Sequence, residues 1–342
     1  MLVASYYSNS DFRIEKRPKP SIGEGECLVK IHASGICGSD LMEWYRREKV
    51  PLVLGHEVAG EISKVGSGVD GLSPGDRVVV THHVPCLQCR HCQKGNETVC
   101  ETMRTTNFDP GGFSQYVRMP EINTKLGVCS IPEHISYEEA SFAEPLGCVV
   151  RGQRRAGVKA NDVVVIVGTG ISGILHVVLS KANGARAVVG VDILPQRLKW
   201  AEQFGVDRAT ADMNSLPDLL QSEFGQKADI IILTTGNPDA VLKSFHAVTD
   251  GGTILLFAPG EPGDTIPIDI TDVFFRRDVT VTSTYAASPS DLKQAIELIG
   301  ESKVPVRQMI THRLALTEIQ DGFNLVRQGT DSLKVIVEPN EE

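Results

Sequence analysis

Asp162-Val163-Val164-Val165-Ile166-Val167-Gly168-Thr169-Gly170-Ile171-Ser172-Gly173 decides the fold of this chain. An unbroken apolar run without polar alternation is the pattern of a strand covered on both faces. It leads into Gly-x-Gly-x-x-Gly, and Ile174 to Ser180 continues as a buried helix. A glycine-rich turn in another α/β fold is the plainer reading, but strand before and helix after are the context that marks a dinucleotide-binding turn. Gly168 permits the tight turn, Gly170 lets a pyrophosphate approach the backbone, and Gly173 lets helix and strand pack closely. Thr169, Ile171 and Ser172 complete the turn, and the helix start offers N–H groups to phosphate. Asp192 ends the next strand, Ala187 to Val191. A carboxylate there accepts from both ribose hydroxyls and repels a 2′-phosphate, so NAD is favoured over NADP; Arg197, a possible phosphate partner, keeps the second cofactor in view.

Downstream, Pro195 opens a helix from Gln196 to Phe204 and Gly205 closes it. Further strands run Ala228 to Leu233, Thr253 to Phe257 and Val279 to Thr282. Strands alternating with helices predict a doubly wound parallel sheet, an α/β fold, over residues 146–285. Upstream the texture is different. Short runs such as Cys27 to Ile31, Glu57 to Ile62 and Arg77 to Val80 are separated by turns such as Pro20-Ser21-Ile22-Gly23 and Ser73-Pro74-Gly75-Asp76. That spacing predicts an all-β lobe, a partly open barrel, over residues 1–145. Helical patterns at Asp291 to Ile299 and Leu316 to Val326 precede a last strand, Leu333 to Val337, which is expected to return to the first lobe, so that 286–342 joins it. The Glu341-Glu342 tail is expected to fray.

The size, 342 residues, suits two domains. A net charge of −9 argues against a nucleic-acid partner. The first residues lack a basic, apolar leader, and no apolar run approaches the ~20 residues of a membrane span, so a cytoplasmic protein without a membrane partner is expected. Eight cysteines in such a chain read as thiols or metal ligands rather than disulfides.

Cys86, Cys89, Cys92 and Cys100 stand within fifteen residues. Four thiolates on a short loop can enclose one tetrahedral Zn²⁺ with no open position, which makes a structural site. An iron–sulfur cluster fits less well, because the ferredoxin run has a three-residue last gap followed by Pro. A redox Cys-x-x-Cys pair would leave two cysteines idle. A second set is Cys37 in Gly35-Ile36-Cys37-Gly38-Ser39-Asp40, His56-Glu57 after Gly55, and Glu144 in Ala143-Glu144-Pro145-Leu146. Sulfur, imidazole and carboxylate together suit an open zinc site. Residue types and spacing leave that reading and a purely structural one equally open.

These motifs occur in one order along the chain. Together they resemble the zinc-dependent medium-chain alcohol dehydrogenases, closest to the sorbitol, butanediol and threonine dehydrogenase branch. The resemblance implies a GroES-like β-barrel lobe, a Rossmann lobe and two zinc ions per chain. It implies that Cys37, His56 and Glu144 hold the catalytic zinc, with Glu57 an additional or exchanging ligand and Cys148 in reserve. It also implies oxidation of a secondary alcohol or polyol by hydride transfer to NAD, with zinc as Lewis acid and Ser39 as first proton acceptor. Relatives often place a His three residues after that Ser to pass the proton outward; here the residue is Met42. His82 and His83 are candidates for the outer path, against the reading of a solvated pair beside the cysteine loop. Trp44, Tyr45, Arg46 and Arg47 follow the Cys37 segment. Two arginines there are read either as an anion-recognising pair for a phosphorylated or otherwise anionic substrate or as exposed charge. By analogy a homo-oligomer, tetramer or dimer, is expected. Two readings compete: a zinc-independent quinone or enone reductase on the same fold, and a non-catalytic NAD-binding zinc protein.

Overall fold

The computed structural model describes residues 1–341, so the fraying expected at Glu342 lies outside the described residues. The chain divides into two compact units, Met1–Gly147 with the chain from Ala286 onward, and Cys148–Tyr285.

The second unit is a six-stranded parallel sheet. Its spatial order is Arg208–Thr210, Ala187–Val191, Val163–Val167, Ala228–Leu233, Val248–Leu256 and Thr280–Ser283. Numbered along the chain, that order is third, second, first, fourth, fifth, sixth, the doubly wound arrangement in which the first strand's C-terminal end meets a switch in direction. Every residue of Val163–Val167 and Ala187–Val191 is buried, as the unbroken apolar pattern requires. Val165, Val189, Ile231 and Phe245 pack on one face of the sheet, and Ile166, Val177, Val188 and Leu255 on the other. Truncating one such side chain, for instance Ile231→Ala, costs about 2–5 kcal/mol. The helix after the first strand runs Ile171–Ala182, starting three residues before the apolar run. Arg208–Thr210 is too short and too exposed to leave a pattern in the sequence.

The first unit is all-β at its centre. Its main sheet runs Ile310–Ala315, Lys334–Glu338, Cys27–Gly35, Glu57–Val65, Arg77–Val80 and Val128–Ser130, with Tyr116–Met119 also on Cys27–Gly35. The last strand does return to this unit, antiparallel to the end of Cys27–Gly35 through Ile336 and Gly35. Leu2–Ser8 pairs with Asp11–Lys16 and Leu52–Val53 in a smaller sheet. Among the described residues no helix is long and apolar enough to cross a membrane.

Candidate metal centres and dinucleotide turn

Strand register builds the first metal centre. Cys27–Gly35 and Glu57–Val65 run antiparallel with Gly35 opposite Glu57. Cys37, two residues beyond one strand, and His56, one residue before the other, therefore meet at the same end of the sheet. Ligand atoms of Cys37, His56 and Glu57 lie within 4.8 Å of one another. Cys37 caps a 3₁₀ turn, Gly38–Leu41, and its sulfur accepts from Ser39 N at 3.5 Å. Ser39 Oγ stands 3.4 Å from that sulfur. Asp40 is buried beneath them: one carboxylate oxygen accepts from Cys37 N at 3.1 Å, and the other lies 3.4 Å from His56 Nδ1.

The electrostatics follow from this packing. Burial alone would lower the His56 pKa, but the charge and hydrogen bond of Asp40, joined by the Cys37 sulfur, hold it well above 6.5. Burial would raise Asp40, yet His56, Arg46 and the Cys37 amide keep it below the ordinary carboxylate range. A spot that draws a proton onto imidazole this strongly is one that attracts positive charge. Its sulfur, imidazole and carboxylate donors suit zinc, which would displace that proton. Glu57 reaches the trio with its charge already balanced by Lys334, and both side chains are buried. Lys334 also donates to Ile36 O at 3.2 Å. Gly35 makes room for this pair, since a Cβ there would overlap Glu57. Glu144 is buried in the first turn of Ala143–Ala156 but is not a member of the trio. Cys148 lies one turn further along that helix, also outside the trio.

The cysteine loop forms the second centre. The sulfurs of Cys86, Cys89, Cys92 and Cys100 lie within 4.8 Å of one another. Cys86 and Cys100 are 3.6 Å apart and Cys89 and Cys92 3.5 Å, close to the ~3.8 Å edge of a zinc–sulfur tetrahedron with ~2.3 Å bonds. Leu87 adopts a left-handed conformation, φ 59°, which turns the chain so that Cys89 N reaches the Cys86 sulfur at 3.3 Å. Against burial, the amides of Cys86 and Met103 bring Cys100 down to about 6, while burial and its neighbouring thiols push Cys92 up to about 12. Four sulfurs this close cannot all ionise without a cation among them, and the donor set fits a closed zinc site.

The glycine turn has the shape the sequence suggests. Gly168 has φ +90° and a Cβ there would meet Thr234. A Cβ on Gly173 would overlap Gly168 O, whereas around Gly170 the nearest atoms belong to Arg197, 3.8 Å away, which leaves space for a ligand. Asp192 is buried and accepts from Thr169 N at 2.8 Å and Leu194 N at 2.9 Å. Arg197 Nη1 stands 3.7 Å from the same carboxylate.

Two models match the chain: an alcohol dehydrogenase GroES-like domain over residues 23–132 and a zinc-binding dehydrogenase domain over residues 172–301. Sorbitol dehydrogenase of Gallus gallus is 30% identical over 98% of this chain and 96% of its own length. The chain belongs to the zinc-dependent medium-chain alcohol dehydrogenases, in their sorbitol dehydrogenase-like branch. Sorbitol dehydrogenase of Bacillus subtilis is 30% identical over 99% of this dehydrogenase and 98% of its own length. Galactitol-1-phosphate dehydrogenase of Escherichia coli superposes with a TM-score of 0.86 at 26% identity, covering 99% of this chain and 100% of that one.

Two expectations from sequence change at this dehydrogenase's metal end. Arg46 and Arg47 do not act as a pair. Arg47 is exposed, while Arg46 is buried and donates to Ser39 O at 2.5 Å and Met42 O at 3.3 Å. Tertiary packing of the short helix Glu43–Arg46 turns one inward, which two adjacent arginines cannot announce. His82 and His83 are half-buried, not fully solvated. Their rings are 3.8 Å apart, His82 lies 5.1 Å from His56, and burial, then His83 and His56, keep His82 well below 6.5. Little in the sequence warns of two further site residues, Lys334 and Asp40: a lysine inside the otherwise apolar Leu333 to Val337 strand is the only signal of the first, and Asp40 carries none beyond its place in Gly35 to Asp40.

Proposed function

We propose that this chain is a zinc-dependent NAD(H) oxidoreductase that interconverts a secondary alcohol or polyol and its ketone. The observation that carries the reading is the grouping of Cys37, His56 and Glu57 beside Ser39 in a chain that also bears the Gly168–Gly173 turn. Cys37, His56 and Glu144 would hold a catalytic zinc, with Glu57 an additional or exchanging ligand, and Cys86, Cys89, Cys92 and Cys100 would hold a structural one. Bound zinc would supply a Lewis acid for the alcohol oxygen, and bound NAD an acceptor for hydride. Ser39 Oγ, beside the Cys37 sulfur and partly exposed, accepts the hydroxyl proton as it releases its own to solvent water. Asp40 fixes the orientation of the His56 ring through Nδ1. Gly170 opens the turn to the pyrophosphate, and Asp192 receives the ribose hydroxyls in preference to a 2′-phosphate. With Arg46 engaged internally, neutral polyols are the preferred substrates over phosphorylated ones.

We also place the protein in the cytoplasm as a homo-oligomer, dimer or tetramer. Support for association comes from the sheet-edge strand Thr280–Ser283, where Val281 is exposed, and from the nearby exposed Ile270, Phe275 and Tyr285. The test of function is an alcohol and polyol panel, neutral and phosphorylated, with NAD and NADP, followed at 340 nm. Reduction of NAD by at least one secondary alcohol or polyol is expected; none across the panel, with zinc present in full, would overturn the reading.

A further inference from the structure

We infer that Arg46 is a positioning residue for the metal centre built on Cys37 and His56, an inference that rests on the function proposed above. Arg46 ends the four-residue helix Glu43–Arg46 and is buried, 8% exposed. Its Nη1 donates to Ser39 O at 2.5 Å and to Met42 O at 3.3 Å, and its Nη2 stands 3.6 Å from Asp40 Oδ1. That same Asp40 oxygen lies 3.4 Å from His56 Nδ1, while the other Asp40 oxygen accepts from Cys37 N. One guanidinium thus holds three parts of the centre together: the backbone that carries the proton-accepting Ser39, the carboxylate that orients His56, and through that carboxylate the amide of Cys37.

The chemistry requires arginine. A planar fork presents several N–H donors at fixed angles, so it reaches a carbonyl and a carboxylate at once; a lysine ammonium on a flexible stem does not. Charge points the same way. A metal-ligating imidazole is neutral, so with zinc on His56 the buried Asp40 carboxylate faces Arg46 as its cation. The short 3₁₀ turn Gly38–Leu41 is closed by Asp40 N to Cys37 O at 3.0 Å and Met42 N to Ser39 O at 3.2 Å, and the Arg46 clamp braces its carbonyls and carboxylate from outside. Groups that orient metal ligands in this way change metal affinity or activity by about 10–100-fold when removed.

The test compares wild type, Arg46→Met, Arg46→Lys and the exposed-site control Arg47→Met. Zinc release into a chelating dye is followed in two phases, the cysteine loop serving as internal reference, and kcat and the KM for NAD are measured with the best alcohol. In Arg46→Met, zinc affinity at the Cys37 centre and kcat are expected to fall by about 10–100-fold. Loop zinc and the KM for NAD should stay unchanged, Arg46→Lys should fall between, and Arg47→Met should match wild type. Wild-type zinc affinity in either Arg46 variant overturns the inference. If Arg46→Met does not fold by circular dichroism, Arg46→Lys decides alone. Wild type with two zincs and activity, but unaffected Arg46 variants, removes this inference and leaves the function standing; wild type with loop zinc only overturns both.

Discussion

Replacing Asp192 by Ser should shift this dehydrogenase from NAD toward NADP. In the structure the carboxylate lies at the C-terminal end of the second strand of the parallel sheet, buried, beside Thr169 N and Leu194 N. A 2′-phosphate brought to roughly 5 Å meets a repulsion of about 3 kcal/mol per unit charge at an effective dielectric near 20, or about 100-fold in affinity. Removing the carboxylate cancels that penalty and frees Arg197, now 3.7 Å from it, to face the phosphate. A charge-assisted contact of that kind adds about 1.5–3 kcal/mol. On the proposed role of Asp192, NAD loses its ribose acceptor at the same time. The ratio of kcat/KM for NADP over NAD should therefore rise by at least about 100-fold in Asp192→Ser, and Arg197→Ala on that background should reverse part of the gain. Two backbone N–H groups lose a charged acceptor, so the variant should also be less stable by about 1–3 kcal/mol, seen as a lower urea midpoint. Steady-state kinetics with both cofactors is the assay. Equal use of the two by wild type, or an unchanged ratio in the variant, would mean that Asp192 does not set cofactor choice.

Gly173→Ala forces a Cβ onto Gly168 O, so either the turn opens or the helix moves off the strand. NADH affinity measured by titrating its dihydronicotinamide fluorescence should drop at least tenfold while both zincs stay bound. Glu338 is pushed up to about 7 by burial and then by Glu138, itself paired with Arg313, and Glu341. An acid raised above its unfolded value near 4.5 binds more protons folded than unfolded, so its presence weakens the fold as pH rises from about 4.5 to 7. Discounted for partial exposure, Glu338→Gln should gain about 1 kcal/mol at pH 8 and nothing at pH 4; equal gains at both would contradict this. Cys100→Ser breaks the four-sulfur set, so loop zinc should be lost on dialysis and the melting temperature should fall. A variant that keeps two zincs would remove the structural assignment.

The parallel sheet was legible because its strands are buried on both faces and keep unbroken apolar runs, as at Val163–Val167, and because glycines with defined roles punctuate them. The four cysteines were legible because loop ligands are local. Cys37, His56 and Glu57 stand out as one set through residue type and family resemblance, whereas local spacing leaves the set open, because antiparallel register is what brings Gly35 opposite Glu57. Lys334 reaches that centre from 277 residues away in sequence, and no local pattern connects it to Glu57. The inward turn of Arg46 depends in the same way on packing rather than on its neighbours in the chain. Strands such as Ile310–Ala315 alternate in exposure at the sheet edge and carry too few apolar residues to stand out.

If a metal ion held by Cys37 and His56 enables hydride transfer to NAD, zinc per chain and alcohol-dependent NADH formation must fall together when both are measured on the same preparations of wild type and Cys37→Ser. Two zincs with activity in wild type, against one zinc and no turnover but retained NAD binding in the variant, is the predicted result. A variant that keeps both its second zinc and full turnover would contradict it.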